Sequence, residues 1–210
     1  MEDPFSRIEH TVLGPKTTPD DVRSVLGEAI EYGLRACVPP CYVDLATEHA
    51  DDVSLTTVVG FPHGTHTTET KVREAERAFE DGADELDVVC RVGRLRACDD
   101  RAVARDIEAV VGATPLPTKV IVEAPLLTET ETRRAGRLAA DAGADYLKTA
   151  TGFGGGGATI AGVEVLSEFL PVKASGGIGS WAEARAMFDA GAARIGASAG
   201  AKIAREYPGA

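Results

Sequence analysis

Short apolar runs begin near residues 7, 34, 54, 85, 118, 145, 171 and 193, and helix-like segments lie between them. Runs this short predict strands, while the longer amphipathic stretches predict helices. Three helix starts are marked by a hydroxyl cap followed by first-turn carboxylates: Thr18-Pro19-Asp20-Asp21, Thr67-Thr68-Glu69 and Thr128-Glu129-Thr130-Glu131. Three stops are marked by glycine, at Asp81-Gly82-Ala83, Asp141-Ala142-Gly143-Ala144 and Asp189-Ala190-Gly191-Ala192. Glycine accepts the left-handed conformation in which a chain leaves a helix. Eight strands alternating with helices imply right-handed βαβ units and a parallel sheet.

Eight such units predict an α/β fold, a closed (β/α)8 TIM barrel at the short end of its usual size, with an open doubly wound sheet as the alternative. Alternation within strands favours the barrel. It puts Glu85, Asp87 and Val89 on one face, and likewise Lys119, Ile121 and Glu123, and Lys173 with Ser175. Charges on an interior face are tolerable only as pairs. Barrel sites lie at the C-terminal ends of the strands, where Asp87, Lys148 and Lys173 are expected. Apart from the glycine run 154–157, no low-complexity segment or linker divides the chain, so one domain over 1–210 is expected.

Lysine usage sharpens this picture. The chain has six lysines against sixteen arginines, yet Lys148 and Lys173 each close an apolar run. A lysine in a low-dielectric site beside a second cation has its pKa pushed down. That makes Lys148 a candidate amine nucleophile toward a carbonyl carbon. Asp87 fits a proton acceptor and donor working through Lys173 or a water. Singly, each is as readily a structural ion-pair partner; the trio is more specific.

Glycine clusters supply a second feature. Gly176-Gly177-Ile178-Gly179 follows the seventh strand and Gly196-Ala197-Ser198-Ala199-Gly200 the eighth. Those two loops commonly bind phosphate in barrels, through bare backbone amides. Gly152-Phe153-Gly154-Gly155-Gly156-Gly157 fits a dinucleotide pattern, but Lys173 stands where an acidic ribose partner belongs. A nicotinamide cofactor is therefore not expected. Cys37-Val38-Pro39-Pro40-Cys41 with His63-Gly64-Thr65-His66 lacks the spacing of usual zinc fingers, so no metal is expected.

Composition limits the partners. The net charge of −11 disfavours nucleic acid and anionic membranes. No run of about 18 apolar residues predicts a transmembrane helix, and Met1-Glu2-Asp3-Pro4 lacks the apolar core of a secretory signal. Four cysteines do not make a disulfide scaffold, so a reducing cytoplasm is the expected compartment. Abundant carboxylates, Arg over Lys and 5% aromatics match a surface built for high salt. The melting temperature should accordingly climb between low and molar KCl; a flat profile in thermal denaturation would remove that reading.

The chain resembles the deoxyribose-phosphate aldolase family, class I Schiff-base aldolases on a (β/α)8 barrel. The resemblance runs from Ile8 to about Gly200. It is carried by Ile8-Glu9-His10-Thr11-Val12-Leu13, Ala36-Cys37-Val38-Pro39-Pro40, Val58-Val59-Gly60-Phe61-Pro62-His63-Gly64, Gly82-Ala83-Asp84-Glu85-Leu86-Asp87, Lys119-Val120-Ile121-Val122-Glu123, Leu147-Lys148-Thr149-Ala150-Thr151-Gly152-Phe153 and Val172-Lys173-Ala174-Ser175-Gly176-Gly177-Ile178. It implies reversible cleavage of 2-deoxy-D-ribose 5-phosphate to acetaldehyde and D-glyceraldehyde 3-phosphate, without metal or organic cofactor. Lys148 would form the imine, with Asp87 and Lys173 shuttling protons. Thr151, Gly152, Gly176, Gly177, Gly196 and Ser198 would hold the substrate and its phosphate. A related class I aldolase of another small sugar phosphate is the alternative, and a homodimer is compatible with such a barrel.

Three positions depart from the family pattern: Glu9 for the usual Asp, Pro40 for Asn, and Ala199 for a second serine. Glu9 is expected to reach toward the barrel mouth. Losing a hydrogen bond to a charged group costs about 1.5–3 kcal/mol, so Ala199 bears on phosphate affinity. A metal-dependent aldolase, a non-covalent sugar-phosphate isomerase and an inactive binding protein are the rival readings.

Overall fold

All eight apolar runs form strands: β1 (Ile8–Thr11), β2 (Arg35–Val38), β3 (Leu55–Val59), β4 (Glu85–Val89), β5 (Thr118–Ile121), β6 (Tyr146–Lys148), β7 (Val172–Ser175) and β8 (Ala192–Ala197). In the computed structural model, which describes residues 4–209, they pair in parallel in chain order, and β8 closes on β1. This is the closed (β/α)8 barrel rather than the open sheet. The connecting helices are α1 (Pro19–Tyr32), α2 (Val43–His49), α3 (Thr68–Glu80), α4 (Val92–Arg96), α5 (Asp100–Val111), α6 (Glu129–Asp141), α7 (Ile160–Ser167), α8 (Trp181–Asp189) and α9 (Gly200–Arg205). Helix α4 is an extra turn inserted in the β4–β5 connection.

Local chemistry sets the helix ends as expected. Thr18 and Thr128 form reciprocal capping boxes with Asp21 and Glu131, and the Thr67 hydroxyl accepts from the Thr70 amide. Gly82, Gly143 and Gly191 take φ of 94°, 84° and 102° as the chain turns back toward the barrel. The outward strand positions, among them Leu86, Val88, Val120, Leu147 and Ile195, bury against helix residues such as Leu26, Leu95, Val103, Ile107 and Leu166. Each such side chain contributes about 1.5–3 kcal/mol on burial.

Inside the barrel the filling departs from the usual branched apolar layers. Arg35, Glu85, Tyr146 and Arg194, from the four even strands, make the lowest layer: Glu85 accepts from Arg35 at 2.6 Å and from Arg194 at 2.5 Å, and Arg194 stacks on Tyr146 at 4.8 Å. Above it lie Glu9, Thr56, Lys119 and Lys173 from the odd strands, where the Lys119 ammonium is 3.4 Å from the Thr56 hydroxyl and 3.7 Å from Glu9. Asp87 and Lys148 belong to the next even-strand level, with Cys37 and Gly196. The barrel is thus plugged by charge below its mouth.

One irregularity tunes this plug. Val172 pairs with Ala192 but Lys173 pairs with Arg194, so Ala193 is an extra residue in β8. The Arg7 guanidinium accepts this distortion by donating to the carbonyls of Ala192 and Ala193 at 2.8 and 2.9 Å. A bulge of this kind shifts the alternation by one. Ala192 and Ile195 therefore both face the helices, while Arg194 and Gly196 face inward.

Candidate active site

Asp87 sits at the centre of the charged interior. Its Oδ2 accepts from both Lys148 and Lys173 at 2.7 Å, and its Oδ1 from Lys119 at 3.0 Å. The three predicted residues are therefore brought together on one carboxylate. Lys173 also donates to Glu9, which in turn meets Lys119 and Arg194. Among the described residues the interior network joins five cations (Arg35, Lys119, Lys148, Lys173, Arg194) to three carboxylates (Glu9, Glu85, Asp87). Of the three lysines Lys148 has the poorest share, one carboxylate held in common with the other two.

Burial alone would raise the Asp87 carboxyl, but Lys119, Lys148 and Lys173 outweigh it and hold it well below the usual carboxylate range. Glu9 behaves alike: burial works against its ionised form, yet Lys119 and Lys173 bring it down to about 2. Burial disfavours the Lys173 ammonium, but Asp87 and Glu9 prevail and hold it above the ordinary lysine value. Lys173 is thus a fixed positive charge beside Lys148. The expectation based on two neighbouring cations left out the carboxylates between them.

Two placements differ from expectation. Asp87 is the middle residue of β4 and Lys173 the second of β7, so both lie within the barrel; only Lys148 stands at a strand's C-terminal end. Glu9 turns inward, wholly buried, instead of toward the mouth. Its extra methylene lets it span two interior layers, from Lys173 to Arg194. Lys119, Glu85, Arg35 and Arg194 complete the network, and sequence reasoning assigned none of them a role. For Glu85 and Lys119 the signal was present in alternation, which sets them on the faces of Asp87 and Ile121; four of the six lysines (Lys71, Lys119, Lys148, Lys173) are buried.

Above the network opens a cleft of about 530 Å³. All six residues expected to touch substrate line it: Thr151, Gly152, Gly176, Gly177, Gly196 and Ser198. Among the described residues Lys148 is the only charged one in its wall. Gly152, Gly176 and Gly177 have φ of 83°, 94° and 77°, a region costly to other residues. Gly196 has a further reason to be glycine, since a Cβ there would lie 2.7 Å from Cε of Lys173. Phe153 covers one flank of the cleft, edge-on to Phe61 with centroids 5.3 Å apart.

The cysteine and histidine motifs part company. Cys37 is buried in the barrel while Cys41 is exposed, and His63 and His66 line a separate cleft with Arg91 and Arg94. Glu9, Cys37 and Asp87 do converge as potential metal donors. Their chemistry suits ammonium groups better: both carboxylates are engaged by lysines, and burial pushes the Cys37 thiol up to about 11, which keeps it protonated.

An amine presented to a cleft from the mouth of a (β/α)8 barrel, with a second ammonium and a carboxylate beneath it, is the equipment of an aldolase. Residues 10–206 match the DeoC/LacD family of aldolases, and the chain belongs to that family; it is a carbon–carbon lyase. It is 64% identical to a deoxyribose-phosphate aldolase of Natronomonas pharaonis, over 94% of this chain and 92% of that one. Its identity to the Haloarcula marismortui protein of the same name is 60%, over 99% and 89%. Its backbone superposes on the deoxyribose phosphate aldolase of Aeropyrum pernix, described as a unique tetramer, with a TM-score of 0.90 at 35% identity, covering 98% and 92% of the two chains. Among the described residues no helix is long and apolar enough to cross a membrane.

Proposed function

We propose that this aldolase cleaves 2-deoxy-D-ribose 5-phosphate reversibly through an imine on Lys148. The observation that carries the proposal is the position of that amine, the sole charged group in the cleft wall, sharing Asp87 Oδ2 with Lys173. Names borne by relatives at 60–64% identity supply the substrate. The interior joins five cations to three carboxylates, and of its three lysines Lys148 has the fewest carboxylate partners.

The neutral amine attacks C1 of the open-chain sugar, and the carbinolamine loses water to give a protonated imine. The C3 hydroxyl then gives up its proton as the C2–C3 bond breaks; that bond's electron pair forms the C1–C2 double bond of an enamine, and the iminium π pair moves onto nitrogen. D-Glyceraldehyde 3-phosphate leaves. The remaining enamine takes a proton on its terminal carbon, and water hydrolyses the imine to acetaldehyde. Asp87 is placed to accept and return the Lys148 proton, and Lys173 holds a fixed positive charge on the same carboxylate oxygen. The iminium itself is the electron sink, so the sequence of steps calls for no metal or organic cofactor. The glycine loops at 152, 176–177 and 196–198 offer backbone donors to the phosphate at the far end of the cleft.

Four free thiols accord with a reducing cytoplasm. Self-association belongs to the same reading, on the strength of the tetrameric Aeropyrum pernix relative. Borohydride reduction in the presence of deoxyribose 5-phosphate, followed by peptide mapping, tests the proposal. A stable adduct on the peptide carrying Lys148 is expected, and an adduct confined to another lysine would move the nucleophile. A chelator should leave the activity intact; its loss would favour a metal-dependent aldolase.

A further inference from the structure

We infer that Glu123 is a positioning residue whose carboxylate aligns the Thr151–Gly152 wall of the cleft with the Lys148 amine. The inference rests on the function proposed above and assigns a part of its site that the imine chemistry does not use. β5 and β6 pair through Ile121 and Lys148, and the Val122 and Ala124 amides extend that pairing to the carbonyls of Lys148 and Thr149 at 3.0 and 2.8 Å. At Glu123 the backbone turns into the left-handed region, with φ of 54° and ψ of 52°. This is uncommon for a residue with a side chain and marks a position held by its surroundings. The turn takes the main chain away from the neighbouring segment. The side chain replaces it: Oε1 accepts the Thr151 amide hydrogen.

The carboxylate is nearly inaccessible, 4% exposed, and its partner is a backbone amide rather than a cation. A buried carboxylate is costly without strong hydrogen bonds. The loop is shaped to receive it. A Cβ at Gly154 would collide with Glu123 Oε2, and one at Gly156 would collide with Pro125. The glycine run is thus packed closely against the β5 loop. The Thr151 hydroxyl accepts from the Phe153 amide at 3.0 Å, so alignment of Thr151 carries on to Gly152 and Phe153. These three residues face the cleft, and the chain reaches them directly from Lys148.

The test compares E123A, E123Q, G154A and the double variant E123A/G154A. In E123A, KM for deoxyribose 5-phosphate should rise about tenfold or more, the loss expected for one charge-assisted hydrogen bond. Turnover at saturation should change by less than about threefold, and trapping of acetaldehyde on Lys148 should be unaffected. E123Q keeps an acceptor oxygen and should restore most of the affinity. G154A should reproduce the KM defect by displacing the carboxylate, and should add nothing in the E123A background. The inference is overturned if KM is unchanged in E123A and G154A, or if the two defects add in full. It is also overturned if turnover falls as much as affinity. Absence of any wild-type adduct on Lys148 would overturn the imine reading and this one together.

Discussion

Replacing Lys148 by alanine should lower turnover at least about 10⁴-fold, some 5.5 kcal/mol of barrier at 1.36 kcal/mol per decade. No other amine lines the cleft, so no side chain stands ready to take over the attack. The variant should nonetheless fold. Asp87 keeps Lys119 and Lys173 as partners, and the interior loses one member of its surplus of positive charge. A melting temperature equal to or above that of the parent is expected, together with loss of borohydride-dependent adduct. Turnover within a hundredfold of the parent, with adduct elsewhere, would show that a different lysine does the chemistry.

Asp87→Asn should damage both activity and stability. The amide cannot balance three ammonium groups, so Lys119, Lys148 and Lys173 would repel one another with Glu9 and Glu85 left to compensate. Removing one partner of a buried ion pair costs about 3–5 kcal/mol, measurable by urea denaturation. Deuterium exchange into the methyl group of acetaldehyde should slow by about 10²-fold or more, the usual worth of a positioned acid–base group. Exchange at the parent rate would deny Asp87 a proton-transfer role. The sign of the pH effect follows from its depressed pKa. The stabilisation Asp87 gives is complete above its unfolded value, about 3.9, and is lost as pH falls below it. Stability of the parent should therefore drop on acidification through this range more steeply than that of Asp87→Asn.

Much of the fold is legible in the residues. Apolar runs, threonine caps and helix-ending glycines mark elements one by one, and each is decided by chemistry within a few residues. Alternation also assigns faces correctly, as at Glu85 and Asp87. Height within the barrel is another matter. Whether Asp87 meets Lys148 at the mouth or below it depends on the stagger between strands, which arises only when β8 closes on β1. That is why Lys173 and Glu9 lie deeper than expected. It is also why Lys119, on the strand between those of Asp87 and Lys148, received no role. The bulge at Ala193 leaves no trace in an Ala-Ala-Arg segment, yet it turns Arg194 inward. Alternation sets Glu123 on a face with Lys119 and Ile121, but its left-handed backbone and its hold on the Thr151 amide depend on residues far along the chain. The glycine loops fared better, because Gly152, Gly176 and Gly177 take a conformation only glycine takes at low cost and Gly196 leaves room for Lys173.

The contact between Glu9 and Lys173 joins residues 164 positions apart. Until the first strand docks beside the last, Lys173 lacks one of its two counter-ions. Full charge compensation at Lys173 is in this sense a property of the completed ring, reached only when β1 closes beside β8.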